Sequence, residues 1–201
     1  MKSSHAQPRS ERRAVQAGAT STADLAPYAA GMPQLAVTVL GHDRPGIIAA
    51  VTGALAGLGG NLEDSSMTRL RGHFAMTLIV AGSGTAAEVE AALAPAVPDL
   101  LVSVREVPEE SEPQAVGSPY LLTVHGADRP GIVSAVTSVL AEAGGNVTDL
   151  TTRLAGRLYL LVVEVELPGT CDVEALTGRL AATARELGVE ASLRPAEADV
   201  L

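Results

Sequence analysis

The residues with the strongest chemical character occur twice. Gly41-His42-Asp43-Arg44-Pro45-Gly46-Ile47 returns 85 positions later as Gly126-Ala127-Asp128-Arg129-Pro130-Gly131-Ile132. Each copy follows a β-rich run (Leu35 to Leu40, Tyr120 to His125) and precedes apolar residues at helical spacing. The first turn of a helix carries N–H groups without intrahelical partners at the positive end of the helix dipole, an arrangement suited to a carboxylate. Gly46 and Gly131 have no side chain and admit a ligand or another backbone. Asp43 and Asp128 stand just ahead of the helix; Asn61 and Asn146 open the next strand, expected beside the first. An acid with an amide can hold an ammonium while free N–H groups hold a carboxylate, which together match a free α-amino acid. A plainer reading stands beside this one. Asp before a helix is a common N-cap, and Gly-Gly-Asn is also a helix stop followed by a turn-forming Asn. Arg44 and Arg129 then belong to solvated turn surface.

Positioning these groups takes a repeated unit. Offset 85 also pairs Ala50-Val51-Thr52 with Ala135-Val136-Thr137, Gly59-Gly60-Asn61 with Gly144-Gly145-Asn146, and Asp64 with Asp149. Arg69 matches Arg153 and Gly72 matches Gly156 at offset 84, which predicts one residue gained or lost in that hairpin. Pro45 and Pro130 are expected in the first helical turn, where a missing N–H costs nothing. Ile47, Val51, Leu55 and Leu58 give the first helix an apolar stripe; Ile132, Val136, Val139 or Leu140, and Ala143 give its counterpart one. Strands follow near 62–70 and 73–81, and near 147–154 and 157–167. A second helix carries Val89, Leu93 and Val97, or Val173, Leu176, Leu180, Ala184 and Leu187. Leu100 to Val107 and Val189 to Leu193 close the units.

The order βαββαβ, twice, predicts an α+β chain of two ferredoxin-like sandwiches, each an antiparallel four-stranded sheet with two helices on one face. The uncovered faces and edge strands call for partners: the other unit or a second chain. Domains are expected at 32–107 and 119–196, joined by an acidic, proline-containing linker at 108–118. Residues 1–31 read as a disordered tail without the apolar core of a secretory signal, and Met32 is a candidate natural start.

Composition narrows the function classes. The chain has 201 residues and a formal net charge of −9; residues 1–31 carry +2 and residues 32–201 carry −11. An acidic body repels phosphate backbones, and 2% aromatics give little for bases to stack on, so direct nucleic-acid binding is not expected. No stretch reaches the roughly 18 apolar residues of a membrane span. Cys171 is the single cysteine, so no disulfide can form within the chain, which suits a reducing cytoplasm. No nucleophile triad, phosphate loop or dense His/Cys cluster appears, so neither catalysis, a cofactor nor a metal is expected. His5, His42, His73 and His125 do not recur at matched positions, and Cys171, in a Pro-Gly-Thr-Cys-Asp turn, reads as incidental.

Gly-x-Asp-Arg-Pro-Gly-Ile, a helix, then Gly-Gly-Asn within a βαββαβ unit resembles the ACT domain, a small-molecule-binding regulatory module that commonly senses amino acids. The resemblance covers roughly residues 35–107 and 119–195. Two such units, with Gly60-Asn61-Leu62-Glu63-Asp64-Ser65, look like the glycine cleavage system transcriptional repressor family. It implies ligand binding at the interface between ACT units, through Asp43, Arg44, Pro45, Gly46 and Ile47 with Asn61, and Asp128, Arg129, Pro130, Gly131 and Ile132 with Asn146. It also implies a regulator acting through a protein partner or a homo-oligomer formed by ACT sheets, with glycine or serine the first ligands to try. Formyltetrahydrofolate deformylases begin with a similar unit, but a hydrolase domain follows where this chain has a second ACT-like unit. The RNA-recognition motif shares the element order but needs basic and aromatic sheet residues. A constitutive interaction module, or a regulatory subunit without a working ligand site, is the remaining alternative. His42 against Ala127, and Glu63 against Thr148, set the two copies apart, and the first copy is the favoured site.

Overall fold

The computed structural model describes residues 34–108 and 117–196. The proposed tail, the Met32 start and most of the linker lie outside them. The chain divides into two compact units.

Unit one runs β1 (Gln34–His42), α1 (Ile47–Gly57), β2 (Asn61–Leu70), β3 (His73–Ala81), α2 (Ala86–Ala96) and β4 (Leu101–Val107). Its antiparallel sheet has the order β2-β3-β1-β4. Alternation sets its faces. Leu35, Val37 and Val39 of β1 and Phe74, Met76, Leu78 and Val80 of β3 are buried beneath the helices with Ile47, Val51 and Leu55 of α1 and Val89 and Leu93 of α2. Fully burying one such side chain is worth about 1.5–3 kcal/mol. The other sheet face stays open, with Leu40, Leu70 and Leu101 between 44% and 62% exposed at one end.

Unit two repeats this order: β5 (Ser118–Ala127), α3 (Ile132–Glu142), β6 (Asn146–Ala155), β7 (Leu158–Leu167), α4 (Val173–Glu186) and β8 (Val189–Pro195), with sheet order β6-β7-β5-β8. Leu122, Val124, Leu161, Val163 and Val165 pack against Ile132, Val136, Leu140, Leu176 and Leu180.

The helix stops follow the sequence. Gly60 N–H donates to the Leu55 carbonyl and Gly59 N–H to that of Ala56, with Gly59 at φ 75°; Gly145, Gly144, Leu140 and Ala141 repeat the pattern. This double bond with a left-handed glycine satisfies carbonyls that a helix end would otherwise leave unpaired.

Four expectations change. Pro45 and Pro130 lie before their helices, not in the first helical turn. Gly46 (φ 89°, ψ −3°) and Gly131 (φ 93°, ψ −6°) are the N-caps. These angles match the third position of a type II turn, which takes Pro at its second. Asp43 and Asp128 therefore cap nothing. β2 and β6 do not lie beside the first strands; β3 and β7 intervene. Finally, the β2–β3 hairpin has neither gained nor lost a residue. Both hairpins turn through two residues, Arg71-Gly72 and Gly156-Arg157, and both carry a bulge at the same place, between Leu62 and Asp64 and between Val147 and Asp149. Offset 85 thus persists through β3, where Phe74 corresponds to Tyr159. The counterpart of Arg69 is Leu154, not Arg153. Because side chains alternate faces along a strand, a slip of one residue changes the face. Arg69 lies on the helix side, opposite Phe74, whereas Arg153 pairs with Leu160 on the open side.

Candidate functional site

The four helices start in two ways. At α2, Thr85 accepts from the Glu88 N–H while the Glu88 carboxylate accepts from Thr85 N–H and hydroxyl, a full capping box. These bonds favour the ionised form and lower the Glu88 pKa. At α4, the Asp172 carboxylate accepts from Ala175 N–H at 3.0 Å. At α1 and α3 no side chain takes that role. The first helical bond of α1 runs from Ala50 N–H to the Gly46 carbonyl at 3.0 Å. A glycine N-cap in place of a capping side chain forgoes only roughly a few tenths of a kcal/mol.

The start of α1 borders a cavity of about 480 Å³, lined by the run from Asp43 to Ala49 with Met67 and Phe74. Such a volume falls in the roughly 300–1,000 Å³ range of small-molecule sites. Asp43, Arg44, Pro45, Gly46 and Ile47 are thus brought together around one cavity. A side chain added at Gly46 would meet nothing within 4 Å, so the backbone there is open to an incoming group.

Charges frame this cavity. Arg69 Nη1 donates to Asp43 Oδ2 at 3.4 Å, and Arg44 Nε stands 3.9 Å from Asp99 Oδ2. The Gly72 carbonyl accepts from Asp43 N–H at 2.9 Å and from His42 Nδ1 at 3.1 Å, tying the turn to the hairpin tip. His42 and His73 face each other across β1 and β3 with ring centroids 6.0 Å apart. Among the described residues, no three His, Cys, Asp or Glu side chains gather as a metal site.

Asn61 is not part of this cluster. It pairs with Ala81 at the end of the sheet away from the turn, whereas His42, His73 and Leu70 mark the end that carries the turn. About 25 Å of strand separates the two ends. Asn146 stands likewise, opposite Glu166, while Ala127 pairs with Leu158 near the second turn. One small ligand cannot touch both turn and amide within a single unit.

In unit two, Asp128 faces Tyr159 rather than an arginine; partial burial and the Asp128 charge raise the Tyr159 pKa above its ordinary value. Arg129 lies against the chain at Gly188, where an added side-chain carbon would stand 3.2 Å from the guanidinium.

Sequence reasoning missed Ile48, Ala49, Met67 and Phe74 as cavity residues, and missed the contact of Arg69 with Asp43. The available signal was strand period: Met67 and Arg69, two apart, share a face, and the hairpin sets them opposite Met76 and Phe74.

Fold and turn together define a tandem α+β protein whose two modules each present a helix start without a side-chain cap behind an Asp-Arg-Pro-Gly turn. The chain belongs to the ACT domain family, whose model matches residues 33–105 and 118–194. The glycine cleavage system transcriptional repressor of Escherichia coli (strain K12) is 25% identical over 169 residues, covering 79% of this chain and 88% of that protein. A UPF0237 protein of Methanopyrus kandleri is 49% identical over 71 residues, 35% of this chain and 79% of its own length. A solved structure of an unknown protein from Galdieria sulphuraria has a TM-score of 0.70 at 31% identity, covering 82% of this chain and 99% of that one.

Proposed function

We propose that this chain is a non-catalytic, amino-acid-binding regulatory protein, with the ligand carboxylate seated on the start of α1 in unit one. The observation that carries this reading is the contrast between helix starts. Thr85 and Asp172 cap α2 and α4, while α1 begins with free N–H groups beside a cavity of about 480 Å³. Helix N–H groups and the helix dipole both favour an anion there. Arg44 and Arg69 stand nearby, each paired with a carboxylate, Asp99 and Asp43.

The relatives support a regulator over an enzyme: one is named as a transcriptional repressor, and none of the residues around the cavity forms a nucleophile–base pair. Similarity to that repressor favours control of glycine, one-carbon or other amino-acid metabolism. The net charge of −9 favours action through a protein partner over direct contact with nucleic acid. The open sheet face with Leu40, Leu70 and Leu101 offers apolar surface for such a partner or for a second copy.

Calorimetry on the full chain with a panel of free amino acids, glycine and serine included, tests the reading. Saturable binding that is lost in Gly46→Ala supports it, because a methyl group there projects into the open space before α1. Absence of binding by the whole panel overturns it and leaves a constitutive interaction module.

A further inference from the structure

Part of the lining of the unit-one cavity is apolar. Ile48, the second residue of α1, is 44% exposed, and Met67, on β2, is 47% exposed. Phe74, almost fully buried, also lines the cavity. Two large apolar side chains held half in water at the mouth of one cavity leave contact surface unused. The same cavity is lined by Asp43, Arg44 and the first residues of α1, whose N–H groups have no intrahelical partner. A complementary occupant has a carboxylate at one end and a hydrocarbon group at the other.

The second unit supplies an internal contrast. At the positions of Ile48, Met67 and Phe74 it has Val133, Thr152 and Tyr159, so two of three wall residues carry a hydroxyl. Where Arg69 stands in unit one, Leu154 stands in unit two. The shared turn thus sits beside two different walls.

We infer that the unit-one cavity selects amino acids with an apolar side chain of several carbons, such as leucine or methionine, over glycine and serine. This rests on the reading of the α1 start as a carboxylate site and adds the identity of the side chain. Glycine has nothing to place against Ile48, Met67 and Phe74, and leaves that wall wet. In an apolar pocket a single methylene changes affinity by about tenfold or more.

Calorimetry on the full chain with leucine, methionine, serine and glycine tests the inference. Leucine or methionine is expected to bind at least about tenfold more tightly than glycine. In Met67→Thr, which places the unit-two residue on a half-exposed strand position, the leucine-to-glycine ratio falls toward one. Glycine or serine binding as tightly as leucine in the unaltered chain overturns the apolar selection while leaving the carboxylate site standing. Leucine binding that survives Met67→Thr unchanged and is lost in Gly131→Ala also overturns it, since the ligand then sits in unit two. Failure of all four to bind overturns both readings.

Discussion

Two turns of the same sequence, Asp-Arg-Pro-Gly-Ile, take the same backbone and meet different neighbours. In unit one Asp43 receives Arg69 at 3.4 Å, and the cavity beside it ends on Met67 and Phe74. In unit two Asp128 has Leu154 and Tyr159 at those positions, and its charge falls on the Tyr159 phenol. The repeat therefore conserves a scaffold, a glycine N-cap at φ near 90°, without conserving the chemistry around it. What surrounds each turn is decided by residues on β2 and β3 or β6 and β7, far from it in sequence.

Substituting the two N-cap glycines gives the largest test of this contrast. Gly46→Ala and Gly131→Ala each place a side chain at positive φ, and each is expected to cost roughly 1–2 kcal/mol in a denaturant midpoint. Their effects on binding should separate: Gly46→Ala removes unit-one binding, while Gly131→Ala leaves it. Equal loss in both variants would mean that the two turns serve one site.

Removing caps sharpens the difference between helix starts. Thr85→Ala deletes a capping box and should lower stability by about 1 kcal/mol. Asp43→Ala deletes no cap. It loses an ion pair whose arginine side chain is 69% exposed, so solvent screening should hold its cost below about 0.5 kcal/mol. A cost for Asp43→Ala equal to that of Thr85→Ala would restore Asp43 as a cap and contradict the structure.

A smaller effect reads the charge on the second turn. Asp128→Asn removes one of the two causes that raise the Tyr159 pKa, so the phenol should ionise closer to its ordinary value in a tyrosine titration. Burial remains and keeps it raised in part. Because the folded value lies above the unfolded one, the stability this group contributes is present below about pH 10 and lost as pH rises through the folded value. An unchanged titration in Asp128→Asn would place Asp128 away from the phenol.

The smallest effect belongs to Glu88. Its folded pKa is lowered, so its contribution to α2 is present above the ordinary carboxylate range and lost as pH falls through the lowered value. Acidification below about pH 4 should fray the start of α2 before that of α1, where no carboxylate holds the helix. Amide exchange along the two helices would report the order, and simultaneous fraying would remove the distinction.

Much of the fold was legible because its signals are local. Val37 and Val39, Leu78 and Val80, and the stripe of Ile47, Val51 and Leu55 announce their elements by period alone. Gly59-Gly60 announces a helix stop by backbone chemistry. The turn was legible as a candidate site, but its mechanics were not. Asp43 looks like a cap until the hairpin is placed, because only then does Arg69 reach it. Thr-Arg-Leu-x-Gly matches between the hairpins at offset 84, yet the paired strands hold offset 85, and sequence similarity cannot choose between registers one residue apart. Asn61 seemed near the turn because both flank α1. An element order does not state which strand lies between two others, and β3 separates them.

The central claim is that the backbone at the start of α1 in unit one holds a ligand carboxylate. Amide resonances of the full chain, followed by two-dimensional NMR while leucine is added, test it most directly. The account predicts saturable shifts concentrated at Gly46, Ile47, Ile48 and Ala49, with much smaller changes at Gly131, Ile132 and Val133. Shifts confined to unit two, or no saturable shift at Gly46 to Ala49 with any amino acid of the panel, would contradict it.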